Sequence, residues 1–177
     1  MRDIEGIDEV VRKIRPHLPE IEENFERENE QFKSLLAQDH DLIGRVLKCH
    51  LIVENYLDRF LAAHFKTSNL SDAKLGFFQK VQLLPSEGHA IAFVKPGIAK
   101  LNGVRNKFGH TLEPELNLGE LEPIHEVLRI TRPTATFSEP VELIEAFTTV
   151  ACTWLIVTPP HLQAVWADAF ASVRVAP

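Results

Sequence analysis

The chain is poor in cysteine: Cys49 and Cys152 are the only two in 177 residues, with no CxxC pair. That excludes a disulfide-stapled scaffold and a four-cysteine zinc site within one chain. Basic charge is also in deficit. Against 25 Asp and Glu there are 19 Lys and Arg, a formal charge of −6, so a globally basic nucleic-acid-binding coat is excluded. No apolar run reaches bilayer length. The most apolar stretch, VELIEAFTTVACTWLIV from Val141, carries two glutamates and predicts a buried helix, with no membrane partner. MRDIEGIDEV has no positively charged stretch leading into an apolar run, so no secretory signal and a cytoplasmic setting are expected. GxGxxG, GxxxxGK[ST] and a serine nucleophile elbow are absent, which argues against the usual dinucleotide, P-loop and hydrolase sites.

What is present is a helical pattern with enough apolar mass for one core: 45% of residues are hydrophobic, and Phe supplies 11 of the aromatics. Strand alternation and internal repeats are lacking. A short helix is predicted over roughly Ile4 to Ile14, broken by PHLP at Pro16 to Pro19. Glu20 to Leu36 then places Ile21, Phe25, Phe32 and Leu35 on one face and EEN and ERENE on the other. Asp41 to Phe65 is the clearest core helix, with Ile43, Val46, Leu47, Leu51, Val53, Leu57, Phe60 and Leu61 at three- and four-residue intervals.

Further along, Ser71 is a plausible N-cap for a helix through Leu75, Phe78, Val81 and Leu84. Ile91, Val94, Ile98, Leu101, Val104 and Phe108 form the next stripe. Pro96-Gly97 is expected to kink it or mark its true start, and Gly109 to end it. A short helix is expected from Pro123 to Arg129. Ser138 can cap a helix beginning near Glu139, with Pro140 in its first turn and Val141, Ile144, Phe147, Ala151, Trp154 and Leu155 on its buried stripe. Pro159-Pro160 ends that helix, and His161 to Phe170 is a possible terminal one. These elements predict an all-α bundle, with residues 1–38 as an acidic helical extension and 39–177 as the bundle proper.

Charge is unevenly distributed. Residues 1–65 hold 9 basic and 14 acidic residues, 66–110 hold 7 and 2, and 111–177 hold 3 and 9. An acidic chain thus has one segment of net charge +5, a candidate anion or RNA surface if folding gathers those charges together; an ordinary solvated face is the alternative.

The sharpest local feature, RNKFGH, lies inside that segment. On a regular helix Arg105 and His110 point about 140° apart, whereas Asn106 and His110 share a face. If Gly109 releases the helix, His110 can turn back toward Arg105. Arg holds phosphate through paired charge-assisted hydrogen bonds, His exchanges a proton near neutral pH, and Asn can orient either. RNA would bring its own 2′-hydroxyl nucleophile. The competing reading pairs Arg105 with a carboxylate such as Glu54 and leaves Asn106 and His110 to tie down a helix end.

Weaker candidates are read chiefly as structural. Cys49, His50, His64 and Cys152 lack zinc-ligand spacing. Glu54 and Asp58, one turn apart, either approach Arg105 or orient other basic side chains. His89, in a loop, could join an anion pocket, and Trp154 and Trp166 read as packing anchors.

RNKFGH resembles the Arg-x4-His signature of HEPN domains. The resemblance extends upstream through GRVLKCHLIVENYLDRFL, LSDAKLGFFQKVQLL and IAKLNGVRNKFGH, over about residues 42–112. This succession is similar to the mannitol operon repressor-like (MltR-like) branch. It implies an up-down helical bundle of HEPN type, with added N- and C-terminal helices, that commonly forms a homodimer. In catalytic members of that superfamily, Arg and His from both chains line one cleft and cut RNA without metal. Carried over, Arg105 would contact phosphate, His110 transfer protons and Asn106 support them, leaving 2′,3′-cyclic phosphate ends. Other members are regulators or binding modules. The expectation is therefore a non-enzymatic regulatory or protein-interaction module with a regulatory protein partner and no cofactor or metal. The alternative is a metal-independent endoribonuclease binding RNA at segment 66–110.

Overall fold

A computed structural model of the chain describes residues 12–36, 40–67, 70–111 and 114–171. The chain divides into two compact units, 1–39 and 40–177. In the first, helical residues 12–14 lead into a 3-10 turn at Arg15–His17, followed by helix α1, Leu18–Leu36. Pro16 opens the 3-10 turn and Pro19 sits in the first turn of α1, where a missing N–H costs no intrahelical bond. PHLP therefore narrows the chain into one tight turn where an interruption was expected. Glu22, Glu23, Glu26 and Glu30 are exposed. The helix expected over Ile4 to Ile14 lies outside the described residues as far as residue 11, as do the side chains of Phe25, Phe32 and Leu35.

The second unit is an all-α helical bundle, without strands among the described residues. Its helices are α2 (His40–His64), α3 (Phe77–Gln82), α4 (Ala90–His110), α5 (Glu122–Thr131), α6 (Pro140–Leu155) and α7 (Gln163–Ala169). The largest shared face lies between α2 and α6, and α4 and α5 close the core against them. Val46, Val53, Leu57 and Leu61 of α2 meet Ile91, Ile98 and Leu101 of α4 and Ile144, Phe147 and Leu155 of α6, all essentially without solvent contact. Leu51, expected on the core stripe, is 64% exposed, because residue 51 falls about 100° round the helix from buried His50. Among the described residues no single helix is long and apolar enough to cross a membrane.

Pairwise contacts fix the directions. His50 meets Asn102 and Phe60 meets His89, so α2 and α4 run antiparallel. Phe93 meets Trp154 and Gly97 meets Phe147, so α4 and α6 do too. One end of the bundle therefore gathers the start of α2, the end of α4 and the start of α6. There Arg45 grips Glu145 with two parallel hydrogen bonds of 2.8 Å. That contact draws the Glu145 carboxyl below its ordinary range. The opposite end gathers His64, His89 and Trp154.

Helix starts are where sequence and structure part. Pro96-Gly97 does not open α4, which begins six residues earlier and runs through both residues; His89 caps it, its Nδ1 accepting from Ile91 N–H at 3.1 Å. Gly97 is needed for packing, since a Cβ there would overlap the ring of Phe147. Ser71 lies in a 3-10 turn, Leu70–Ala73, and α3 starts only at Phe77 with Gly76 as its N-cap. The cap of α6 is Glu139; Ser138 instead donates to Glu142 from both its backbone N–H (3.0 Å) and its hydroxyl (2.9 Å). The acceptor Glu142 three residues into the helix holds the turn that a capping serine was expected to hold. A 3-10 turn at Pro160–Leu162 leads into α7.

Candidate functional site

Helix α4 carries RNKFGH at its C-terminal end and remains helical through His110. Gly109 has no left-handed φ and does not release the chain. The end comes one residue later, where Thr111 turns extended and its N–H donates to the Lys107 carbonyl at 3.0 Å. His110 therefore stays about 140° from Arg105 around the axis.

Arg105 is half-buried and Asn106 and His110 are exposed. The Arg105 guanidinium turns along its own helix: Nη1 donates to Asn106 Oδ1 at 3.4 Å. It also passes over Gly109, 3.3 Å from where a Cβ would stand. Among the described residues Arg105 makes no ion pair, so the expected alternative partner, Glu54, is not taken up by it. One chain thus joins Arg105 with Asn106 and leaves His110 apart.

Glu54 and Asp58 serve Lys80. Its ammonium, on α3, lies 2.9 Å from Glu54 and 2.7 Å from Asp58, and Lys80 is 8% exposed. Burial disfavours its charge, but the hydrogen bonds to Asp58 and Glu54 outweigh that and raise its pKa. Lys107 is likewise held, 2.9 Å from Glu120. Lys95 donates to the Leu84 carbonyl at 2.7 Å and to Ser86 at 2.8 Å. Three of the seven cations in segment 66–110 are thereby spent on structure. Of the others, Lys66 lies in the turn after α2, Lys74 in the turn before α3, and Lys100 and Arg105 on α4.

Between α2 and α4, beneath Arg105, lies a residue read from sequence only as part of a helix face. His50 is buried; its Nε2 is 3.4 Å from Asn102 Oδ1, and its ring stacks on Phe77 with centroids 4.0 Å apart. Burial pushes its pKa down, and the neighbouring Arg105 and Lys80 charges push the same way against Asn102 and Glu54. The legible signal was spacing: His50, Glu54 and Asp58 recur every four residues along one face of α2, where His50 meets Asn102 of α4 and the two carboxylates hold Lys80 of α3. The result is a polar seam that ties α2 to both α4 and α3.

The cysteines are inert structural residues. Both are buried. Burial, with Cys49 nearby, pushes the Cys152 thiol up to about 11, and burial also raises Cys49. Thiolate chemistry is thereby disfavoured. Trp154 and Trp166 pack against each other at 6.1 Å and both against Phe170, far from RNKFGH at the opposite end of α4. Among the described residues no cluster of three His, Cys, Asp or Glu side chains is placed to hold a metal.

Comparison of the chain with family models, curated proteins and solved structures gives no match.

Proposed function

We propose that the chain is a non-enzymatic regulatory or protein-interaction module, of the HEPN type its sequence resembles and nearest the mannitol operon repressor-like branch, working as a cytoplasmic homodimer. The observation that carries this reading is the regular helix through His110. It holds the proton-transfer group about 140° from the phosphate-binding group, so one chain assembles no Arg–His pair. Support for a covered surface comes from the residues beside the seam. Leu51 and Phe78, next in sequence to the stacked His50–Phe77 pair, are 64% and 61% exposed and offer apolar surface that a partner could cover.

The expected result is a solution mass twice the 20.0 kDa of one chain, reduced to the single-chain mass by Phe78→Glu with helicity retained. A single-chain mass for the wild-type protein at all concentrations would count against the dimer.

A second reading has one observation in its favour. Asn106 and His110 are exposed and Arg105 makes no ion pair among the described residues, which leaves these groups available to a phosphate. A two-fold partner could supply the missing member of each pair and make a metal-independent endoribonuclease. Cleavage of RNA in EDTA to cyclic-phosphate ends would establish it.

A further inference from the structure

The end of the bundle remote from RNKFGH holds a cavity of about 320 Å³, at the lower edge of the roughly 300–1,000 Å³ usual for ligand sites. Its walls come from the end of α2, the start of α4, the end of α6 and α7. Phe60, Trp154 and Trp166 give it flat apolar surface. His64, Lys66 and His89 supply the charge and the polar ring atoms, and no aspartate or glutamate is among the described residues that line it.

Two local features aim this lining at an anion. His89 spends Nδ1 on the Ile91 N–H, 3.1 Å away, which leaves Nε2 to carry the proton of the neutral ring as a donor. Its ring stands edge-on to Phe60 and to His64, with centroids 5.5 and 6.2 Å away. Lys66 stands at the end of α2 with φ 51°, a left-handed position where glycine is the usual occupant. The turn is closed by Lys66 N–H to Ala63 O (3.3 Å) and Thr67 N–H to Ala62 O (3.0 Å), and it sets a lysine at the cavity wall where the backbone alone would favour glycine. Thr153, Thr158 and Gln163 add uncharged polar groups.

We propose that this cavity is a binding site for a small aromatic carboxylate of one or two rings. The ring lies against Trp154, Trp166 and Phe60, and the carboxylate faces Lys66 and His89. The volume suits a ligand of that size, and a lining with Lys66 and no carboxylate favours an anion over an amine. The site is independent of the function proposed for the Arg105 end.

The test exploits a property of the sequence: the chain's two tryptophans are both cavity residues, so intrinsic tryptophan emission reports on this site alone. Wild-type protein is titrated with phenylacetate and indole-3-carboxylate, and with phenylacetamide and phenethylamine as neutral and cationic counterparts, by emission and by calorimetry. Saturable binding of the carboxylates is expected, at least about tenfold tighter than of the amide or amine. Lys66→Gly suits the left-handed backbone and so keeps the fold; it should weaken the carboxylates by about threefold or more and leave the amide unchanged. Trp166→Ala should weaken both carboxylates. No saturable binding up to about 10 mM, a range that would still detect contacts of only a few kcal/mol, would overturn the proposal. So would equal affinity for the amine, or carboxylate binding indifferent to Lys66→Gly.

Discussion

Helix α4 has a histidine at each end, and the two ends differ in kind. At the start, His89 is half-buried, caps the helix with its own ring nitrogen, and sits among aromatic rings beside a cavity without carboxylates. Its pKa is lowered by burial and by His64, and a helix N-terminus also repels a cation. At the far end His110 is exposed, within one turn of Lys107, which pairs with Glu120. The helix's partial negative charge there favours cations. The lesson is that a residue type does not announce its use. The end with the recognisable motif is open surface, whereas the end with no motif is the concave one.

The comparison breaks most completely if α4 moves as a whole. Gly97→Ala inserts a methyl into the ring of Phe147. Helix propensity would favour alanine by about 1 kcal/mol, but overpacking costs about 1–3 kcal/mol, and against an enclosed core ring the overlap should dominate. A lower denaturant midpoint is expected, with both ends perturbed in amide exchange. An unchanged midpoint would mean that Phe147 rotates away freely.

Next in size is the seam. Lys80→Ala removes the shared partner of Glu54 and Asp58 and should cost about 1–2 kcal/mol, discounted because both carboxylates keep contact with water. The loss should appear in urea unfolding and be smaller for Lys80→Arg. Equal losses for the two variants would show that the charge contributes little and the stem's packing dominates.

A smaller effect comes from pH, through His50 on α2 and His89 at the start of α4. A base whose folded pKa is lowered is neutral in the fold while the unfolded chain takes up its proton first. Stability is then full above the ordinary value of 6.5 and is lost as pH falls from there toward the folded pKa. His50→Gln should flatten one part of the decline between neutrality and the carboxylate range, and His89→Asn, which can still cap, another. Glu145, Glu142 and Glu120, all drawn down by their hydrogen bonds, add losses only below their ordinary 4.5. A decline unchanged by both histidine variants would contradict the burial assigned to them.

Smallest of all should be Arg105→Ala and His110→Ala, within about 0.5 kcal/mol of wild type. These side chains touch little besides their own helix, so a large loss of midpoint in either variant would reveal a structural role.

Much of the fold was legible because its cores are regular. The stripes of α2, α4 and α6 repeat every three to four residues, and most of their members are buried, Leu51 being the clear exception. What was not legible depended on partners distant in sequence. Pro96-Gly97 reads locally as a breaker; only Phe147 explains why glycine belongs inside the helix. Ser71 and Ser138 had the chemistry of caps, yet Gly76 and Glu139 took the positions. At the site, the sequence set Asn106 and His110 on one helix face and Arg105 apart from His110, and the helix through His110 keeps that arrangement, while Arg105 bonds its neighbour Asn106. The turn-back of His110 did not occur because nothing required Gly109 to leave the helical region. His50 was read as structural, but its polar surroundings were not legible, because Asn102 and Lys80 come from two other helices. The net charge of the basic segment did not show that Lys80, Lys95 and Lys107 are engaged by partners elsewhere in the fold.

The most direct measurement is single-turnover cleavage of a mixed panel of labelled single-stranded and structured RNAs in excess EDTA, with the wild-type chain, Arg105→Ala, His110→Ala and an equimolar mixture of the two variants. The regulatory-module account predicts no cleavage by the wild-type chain above that of the variants, with every protein folded and of the same mass in solution. Wild-type cleavage to 2′,3′-cyclic phosphate ends, lost in each variant and partly restored on mixing them, would contradict it and establish a composite nuclease site between two chains.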